Sequence, residues 1–297
     1  MVLRVPTSRR LLCYLPILAA AAAACGVSEP SERSVATPSV ELSRDRVPAG
    51  SPIDITYRFQ VASDARFDGD YRVMVHVVDA DDERMWDDDH DPPVPTSQWK
   101  PGQTVEYTRT VFAPIFPYIG DAAIHVGLYS VPDQKRLPLS GDHVGQLAYR
   151  VARLALLPQT ENLFAVFKEG WHGTEVAGDN ATIEWQWTKK SATLVFKNPK
   201  RDALFYLDLD SPGGDYIGAQ QVQVSRGPQV VERFTLEPHQ RMLRKVTLTA
   251  GQLGPDDMAE LAISVDKTFV PSQTSAANSK DTRELGVRIF HAFVEAK

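Results

Sequence analysis

Ile53-Asp54-Ile55-Thr56-Tyr57-Arg58-Phe59-Gln60-Val61 sets the fold class of this chain. Apolar side chains hold every odd position and polar ones every even position. Side chains alternate across a strand, so this pattern gives one buried and one wet face. Similar runs follow at 71–78, 104–112, 122–130 and 146–156, separated by turn-forming stretches: Pro48-Ala49-Gly50, Asp68-Gly69-Asp70, Lys100-Pro101-Gly102 and Ser140-Gly141-Asp142. Proline, glycine and aspartate favour the backbone angles that reverse a chain. No stretch between 40 and 156 carries a three-turn helical period. Strands at this spacing predict an antiparallel β-sandwich of the immunoglobulin or fibronectin kind over 40–157.

A second series begins near Phe164. Residues 181–187 place Ile183, Trp185 and Trp187 on one face, and further strands are expected at 192–197, 204–209, 219–225, 230–236, 244–249, 260–266 and 285–294. The segment Gly254-Pro255-Asp256-Asp257-Met258 suits one helical turn, since proline and aspartate favour helix starts. Eight or so antiparallel strands without helices predict a second, jelly-roll-like sandwich over 158–297. The fold class is therefore all-β, two consecutive sandwiches. The junction Leu157-Pro158-Gln159 is short and apolar upstream, so the two are expected to touch.

The N-terminus reads differently. Arg4, Arg9 and Arg10 precede an apolar run at 11–24, which ends in alanines before Cys25. A basic start, a short apolar core and small residues at a cleavage point describe an export signal over 1–24, too short to span a bilayer. Ala22-Ala23-Ala24-Cys25 resembles the lipobox of bacterial lipoproteins, with alanine where leucine is usual at position 22. The resemblance implies cleavage before Cys25 and acylation of its sulfur. Ordinary cleavage after Ala-x-Ala is the alternative. Cys13, the only other cysteine, falls inside the signal, so an unacylated Cys25 would be a lone thiol in an oxidising compartment. Residues 25–39 are rich in Ser, Pro and Glu without an apolar period and read as a flexible tether. Gly26 rather than aspartate after the cysteine favours the outer membrane, on its periplasmic or surface side. A soluble periplasmic or secreted protein is the alternative.

Val73-Met-Val-His-Val-Val-Asp-Ala-Asp81, Asp89-His-Asp-Pro-Pro93, Pro95-Thr-Ser-Gln-Trp99-Lys-Pro-Gly102 and Val126-Gly-Leu-Tyr129 recur in that order. So, in the second half, do Gly170-Trp171 followed by Glu175, Trp185-Gln-Trp187-Thr188, Thr268-Phe-Val-Pro271 and Asp281-Thr-Arg-Glu-Leu-Gly-Val-Arg288. The first set resembles sandwich domains appended to bacterial membrane glycosyltransferases and other envelope-polysaccharide proteins; the second is similar to galactose-binding-like jelly rolls. The transmembrane transferase part is missing, so no transferase chemistry carries over. The resemblance implies an accessory envelope protein.

Composition narrows the partners. The chain has 297 residues, a net charge of -6 and no basic stripe, which argues against nucleic acid. There is no Gly-x-Ser-x-Gly, no His-Glu-x-x-His and no phosphate-binding glycine loop. The seven histidines are scattered, and His76 and His125 read as ordinary strand residues. Asp208 and Asp210 stand two apart on one strand face, as carboxylates on solvated sheets often do. The acidic run at 79–91 is oxygen-rich but lacks the glycine and terminal glutamate of a calcium loop, so it reads as a solvated hairpin, in which Trp86 either tucks under the sheet edge or offers a stacking surface. No cofactor, metal site or catalytic residue is expected.

Binding candidates are the aromatics, whose flat apolar faces can stack on sugar C–H faces: Trp99, Trp171, Trp185, Trp187 and Tyr216. Trp185 and Trp187 share a strand face and read as core, and Trp99 before Lys-Pro-Gly can equally plug the sandwich. Trp171, flanked by Gly170 and His172-Gly173, is the most loop-like. Arg283 and Glu284 lie in a polar connection before the last strand, where sandwich loops gather ligands; Arg283 can equally pin that loop through a carboxylate. The sequence thus predicts a non-catalytic, lipid-anchored envelope protein that recognises or scaffolds surface polysaccharide. A protein-interaction module of the envelope is the main alternative, and a carbohydrate-active enzyme a weaker one.

Overall fold

A computed structural model describes residues 33–115, 118–178, 183–274 and 279–297. The export signal and Cys25 lie outside the described residues. The first ten strands are β1 (Ala36–Leu42), β2 (Arg46–Pro48), β3 (Pro52–Val61), β4 (Arg72–Val78), β5 (Arg84–Asp87), β6 (Thr104–Phe112), β7 (Gly120–Tyr129), β8 (Arg136–Leu137), β9 (Asp142–Gly145) and β10 (Ala148–Leu157). A three-stranded sheet, β1-β3-β6, faces a larger one in the order β2-β10-β7-β4-β5. All pairings are antiparallel except the short parallel pair of β2 with β10. The odd residues of 53–61 do point inward: Ile53, Ile55, Tyr57, Phe59 and Val61 are all buried.

The tether was expected to run to Ser39, but β1 already begins at Ala36. Ala36 and Pro38 are buried where β1 pairs, along its own full length, with 55–61 of β3. Small and proline residues carry little strand signal, and the pairing partner supplies what local propensity does not.

The second ten strands are β11 (Ala165–Phe167), β12 (Glu175–Val176), β13 (Glu184–Trp187), β14 (Ser191–Lys197), β15 (Ala203–Asp210), β16 (Gln220–Arg226), β17 (Gln229–Leu236), β18 (Met242–Leu248), β19 (Met258–Val265) and β20 (Arg288–Ala296). They form two five-stranded sheets, β11-β14-β19-β16-β17 and β12-β13-β20-β15-β18. From β14 onward the chain mostly crosses between sheets, as jelly rolls do. Phe196, Phe205, Leu207, Leu209, Val224 and Ile263 fill the space between them. The helical turn expected from Gly254 instead ends there. Thr249 and Gln252 form a capping box at its start, and Gly254, at φ 70°, stops it.

The sandwiches touch. Phe112, the last residue of β6, stacks on His291 and meets Tyr206 and Phe293 edge-on. Lys245 pairs with Asp54 at 2.8 Å and Arg44 with Glu295 at 2.6 Å across the same seam. Lys245 and the Thr110 hydroxyl hold the Asp54 carboxyl below its ordinary range, against the upward push of burial.

Candidate functional site

The outer face of the β12-β13-β20-β15-β18 sheet carries a convergent set of polar and aromatic groups. Trp187 pairs with Arg288, and Arg288 in turn with Asp210, so these three side chains share one face across three strands. Trp185 and Phe290, two residues along, lie on the same face. A register shift in the β15–β20 pairing leaves Phe290 as the extra residue. A bulge of this kind lets two successive side chains serve one face. Phe290 and His291 accordingly both point outward, and the parity reverses from buried Ile289 before it to buried Val294 after it.

These groups interlock. Arg288 donates Nε and Nη2 to the two oxygens of Asp210, and Arg241, just before β18, does the same to Asp208 at 3.0 and 2.7 Å. His291 Nδ1 sits 3.0 Å from Asp208 Oδ2. The Arg288 guanidinium lies over Trp185 at 4.9 Å and near Phe290 at 5.5 Å, while Arg241 lies over Phe290 at 3.8 Å. The result is a ledge of flat groups, each guanidinium fixed by a bidentate carboxylate and an aromatic ring.

Asp208 and Asp210 are each only 7% exposed, which corrects the expectation of solvated acids. Carboxylates this buried require partners, and the arginines supply them. Burial works to raise the Asp208 pKa, but the Arg241 and His291 contacts outweigh it and hold the carboxyl below its ordinary range. Trp185 Nε1 is shielded from solvent and has no hydrogen-bond partner.

The ledge has a rim at β12. Glu175 pairs with Trp185 across the ladder and accepts from Arg283 Nη1 at 2.6 Å. Arg283 also grips Asp281 through Nε and Nη2, and that contact lowers the Asp281 pKa. The loop-pinning role of Arg283 is the one found. Exposed Glu284 accepts from the Thr268 hydroxyl at 2.8 Å, and its backbone carbonyl lies 2.8 Å from His172 Nε2. At its other end the ledge stops against the first sandwich, where His291 meets Phe112.

The remaining candidates fall elsewhere. Trp99 is a core plug: it is 5% exposed, packs on Phe59 and Phe67, and donates Nε1 to the Val94 carbonyl. A ligand cannot reach its faces. Trp171 caps the edge of the second core rather than extending from a loop. Its indole stacks on Phe167 at 4.3 Å and donates to the Thr193 carbonyl. Trp187 is buried against Phe269 and Leu285, a satellite cluster outside the inter-sheet core. Trp185, read from sequence as core, lies half-buried on the ledge. Tyr216 packs its ring beside Phe269.

The acidic hairpin is organised from within. Asp79 Oδ1 accepts the backbone N–H groups of Asp81 and Glu83, and Asp89 accepts that of Val75. Asp88 turns inward onto Arg109 in a bidentate pair. Trp86 packs against the first core beside an enclosed void of about 10 Å³, the size of one water. An open groove of about 500 Å³ lies between Arg33, Arg66 and Lys135. Each of these two spaces is lined by a single carboxylate. Among the described residues, no three His, Cys, Asp or Glu side chains gather as a metal site.

No protein-family model matches the chain, and no curated protein matches it. Among solved structures, it is similar to the CBM51-2 and INT domains of ZmpB from Clostridium perfringens, at 8% identity and TM-score 0.25 over 60% of this chain and 37% of that one. A CBM22 tandem domain of Xyn10C from Paenibacillus barcinonensis matches at 12% identity and TM-score 0.25, over 84% of this chain and 80% of that one. A Bacteroides ovatus glucan-utilisation protein, SGBP-B, solved with a mixed-linkage heptasaccharide, matches at 8% identity and TM-score 0.23, over 84% of this chain and 51% of that one. The chain thus spans well under two thirds of the first and third of these. Likeness this loose fixes neither function nor ligand.

Proposed function

We propose that this chain is an exported, non-catalytic protein, anchored through Cys25, whose second sandwich binds envelope polysaccharide on the ledge. The observation that carries the reading is the Trp185–Arg288–Phe290–Arg241 stack with its two closed Asp–Arg pairs. Sugar recognition needs flat surfaces for C–H faces and in-plane donors and acceptors for hydroxyls. Stacked guanidiniums and indoles supply the first, and the free edges of the Asp–Arg pairs supply the second. Both arginines are held in place before any ligand arrives, so little side-chain entropy is lost on binding. An open ledge suits a polymer lying across it better than a small molecule, which binds in enclosed pockets. The two buried acids are each occupied by an arginine, so neither is available as a general acid or base. The anchor rests on the sequence alone.

Affinity electrophoresis of the full mature chain through gels containing envelope polysaccharide tests this reading. Retardation that Trp185→Ala and Arg241→Ala both abolish, while Trp171→Ala leaves it intact, supports the ledge. Retardation unchanged in both ledge variants moves the ligand elsewhere.

A further inference from the structure

Resting on the glycan reading above, we infer that the ledge selects uncharged polysaccharide over uronate-, sulfate- or phosphate-bearing chains. The paired cations on this face and its rim are Arg241, Lys245, Arg283 and Arg288. They are committed to Asp208, Asp54, Asp281 with Glu175, and Asp210 respectively. These five carboxylates outnumber the four cations, so the paired groups leave no surplus positive charge for a polyanion to neutralise.

To take an anionic group, Arg241 or Arg288 would have to leave a carboxylate that is itself nine-tenths buried. That would strand the aspartate without its counter-charge in a poorly solvated position. A cationic ligand meets the converse obstacle, since Asp208 and Asp210 lie beneath the guanidiniums that cover them. Hydroxyl groups need no such exchange. Neither Asp–Arg pair engages the arginine Nη1. The unused donors on the ledge therefore suit neutral oxygen acceptors, and the aromatic planes beside them suit apolar ring faces. Arg241, whose side chain is 47% exposed, is the group that a ligand meets first.

The test is a binding panel with the full mature chain. Neutral polysaccharides (a β-glucan, a galactomannan, a xylan) and acidic ones (polygalacturonate, alginate, dextran sulfate) are compared at about 0.05 and about 0.5 M NaCl. The expected result is retention on at least one neutral polymer, with affinity changing by less than about two-fold between the two salts, because no net charge is exchanged. Binding to an acidic polymer that collapses in high salt and is lost in Arg241→Ala overturns the inference but keeps the glycan reading. Failure of every polymer, neutral and acidic, removes both. A cooperative melting transition of Arg241→Ala well above the assay temperature shows that a lost signal is not lost folding.

Discussion

The imidazole of His291 lies flat on the ring of Phe112, centroids 3.9 Å apart and planes 3° from parallel. One residue belongs to the last strand of the second sandwich and the other to the end of β6 in the first. The same imidazole contacts Asp208, which holds Arg241. The seam between the sandwiches and the ledge are therefore one contact chain, Phe112–His291–Asp208–Arg241.

Cutting that chain at its first link should loosen the seam. Phe112→Ala removes one stacked contact and two edge contacts, each worth about 0.5–1.5 kcal/mol beyond burial. Melting followed by fluorescence should drop by several degrees and broaden or split into two transitions. A single sharp transition at the parental temperature would show that the sandwiches are not coupled through this ring.

Arg241→Ala leaves Asp208 with His291 as its remaining side-chain partner. Since Arg241 is about half exposed, its loss should cost about 1 kcal/mol rather than the several kcal/mol of a fully buried pair. The folded pKa of Asp208 is lowered, so its contribution is whole above the unfolded value near 3.9 and disappears as pH falls through the folded one. Urea midpoints for parent and variant should therefore differ at pH 7 and converge at strongly acid pH. A gap that persists into strong acid would mean that the cost comes from packing.

Acid should also act through imidazoles. His90, His125 and His76 all have pKa values lowered, chiefly by burial. A folded pKa below the unfolded value near 6.5 means stability is complete above 6.5 and declines as pH drops through that value towards the folded ones. Melting temperature should fall between pH 7.5 and pH 5, and His125→Leu should flatten part of that slope. A profile that rises on acidification would contradict the assignment.

Gly170→Ala should be among the most damaging small substitutions. Its φ is +79°, and an added Cβ would lie 1.9 Å from the Ser191 carbonyl oxygen. Backbone cannot yield as a flexible side chain does, so a loss of more than about 3 kcal/mol or failure to fold is expected. A soluble variant with parental melting would mean that the approach of 170 to β14 is wrong.

Period-two alternation made the long strands legible. Residues 104–112 read from sequence are the residues of β6, and 53–61 differs from β3 by one residue. Short edge strands such as β2, β8, β11 and β12 are not legible, because two or three residues hold no period and form only against a partner. The site was hidden for a different reason. Asp208 and Asp210 were visible as a same-face pair, but their arginines come from 33 and 78 residues away. The bulge at Phe290 breaks the alternation that would have assigned His291 to a face. Trp185 and Trp187 carried the right signal, a shared face, but alternation alone does not say whether that face is core or ledge.

The proposed membrane attachment rests on Cys25 and has its own test. Cys25→Ser should move the protein from the membrane fraction to the soluble one, since acyl chains supply the anchoring free energy. Unchanged fractionation would count against the anchor and leave the ledge untouched.

Hydrogen–deuterium exchange with and without a saturating neutral polysaccharide tests the ledge most directly. Protection should rise in 184–187, 241–245 and 288–293, with little change in the first sandwich beyond the seam at Phe112. Protection confined to the β11–β14 edge around Trp171, or to the groove between Arg33 and Lys135, would contradict the account.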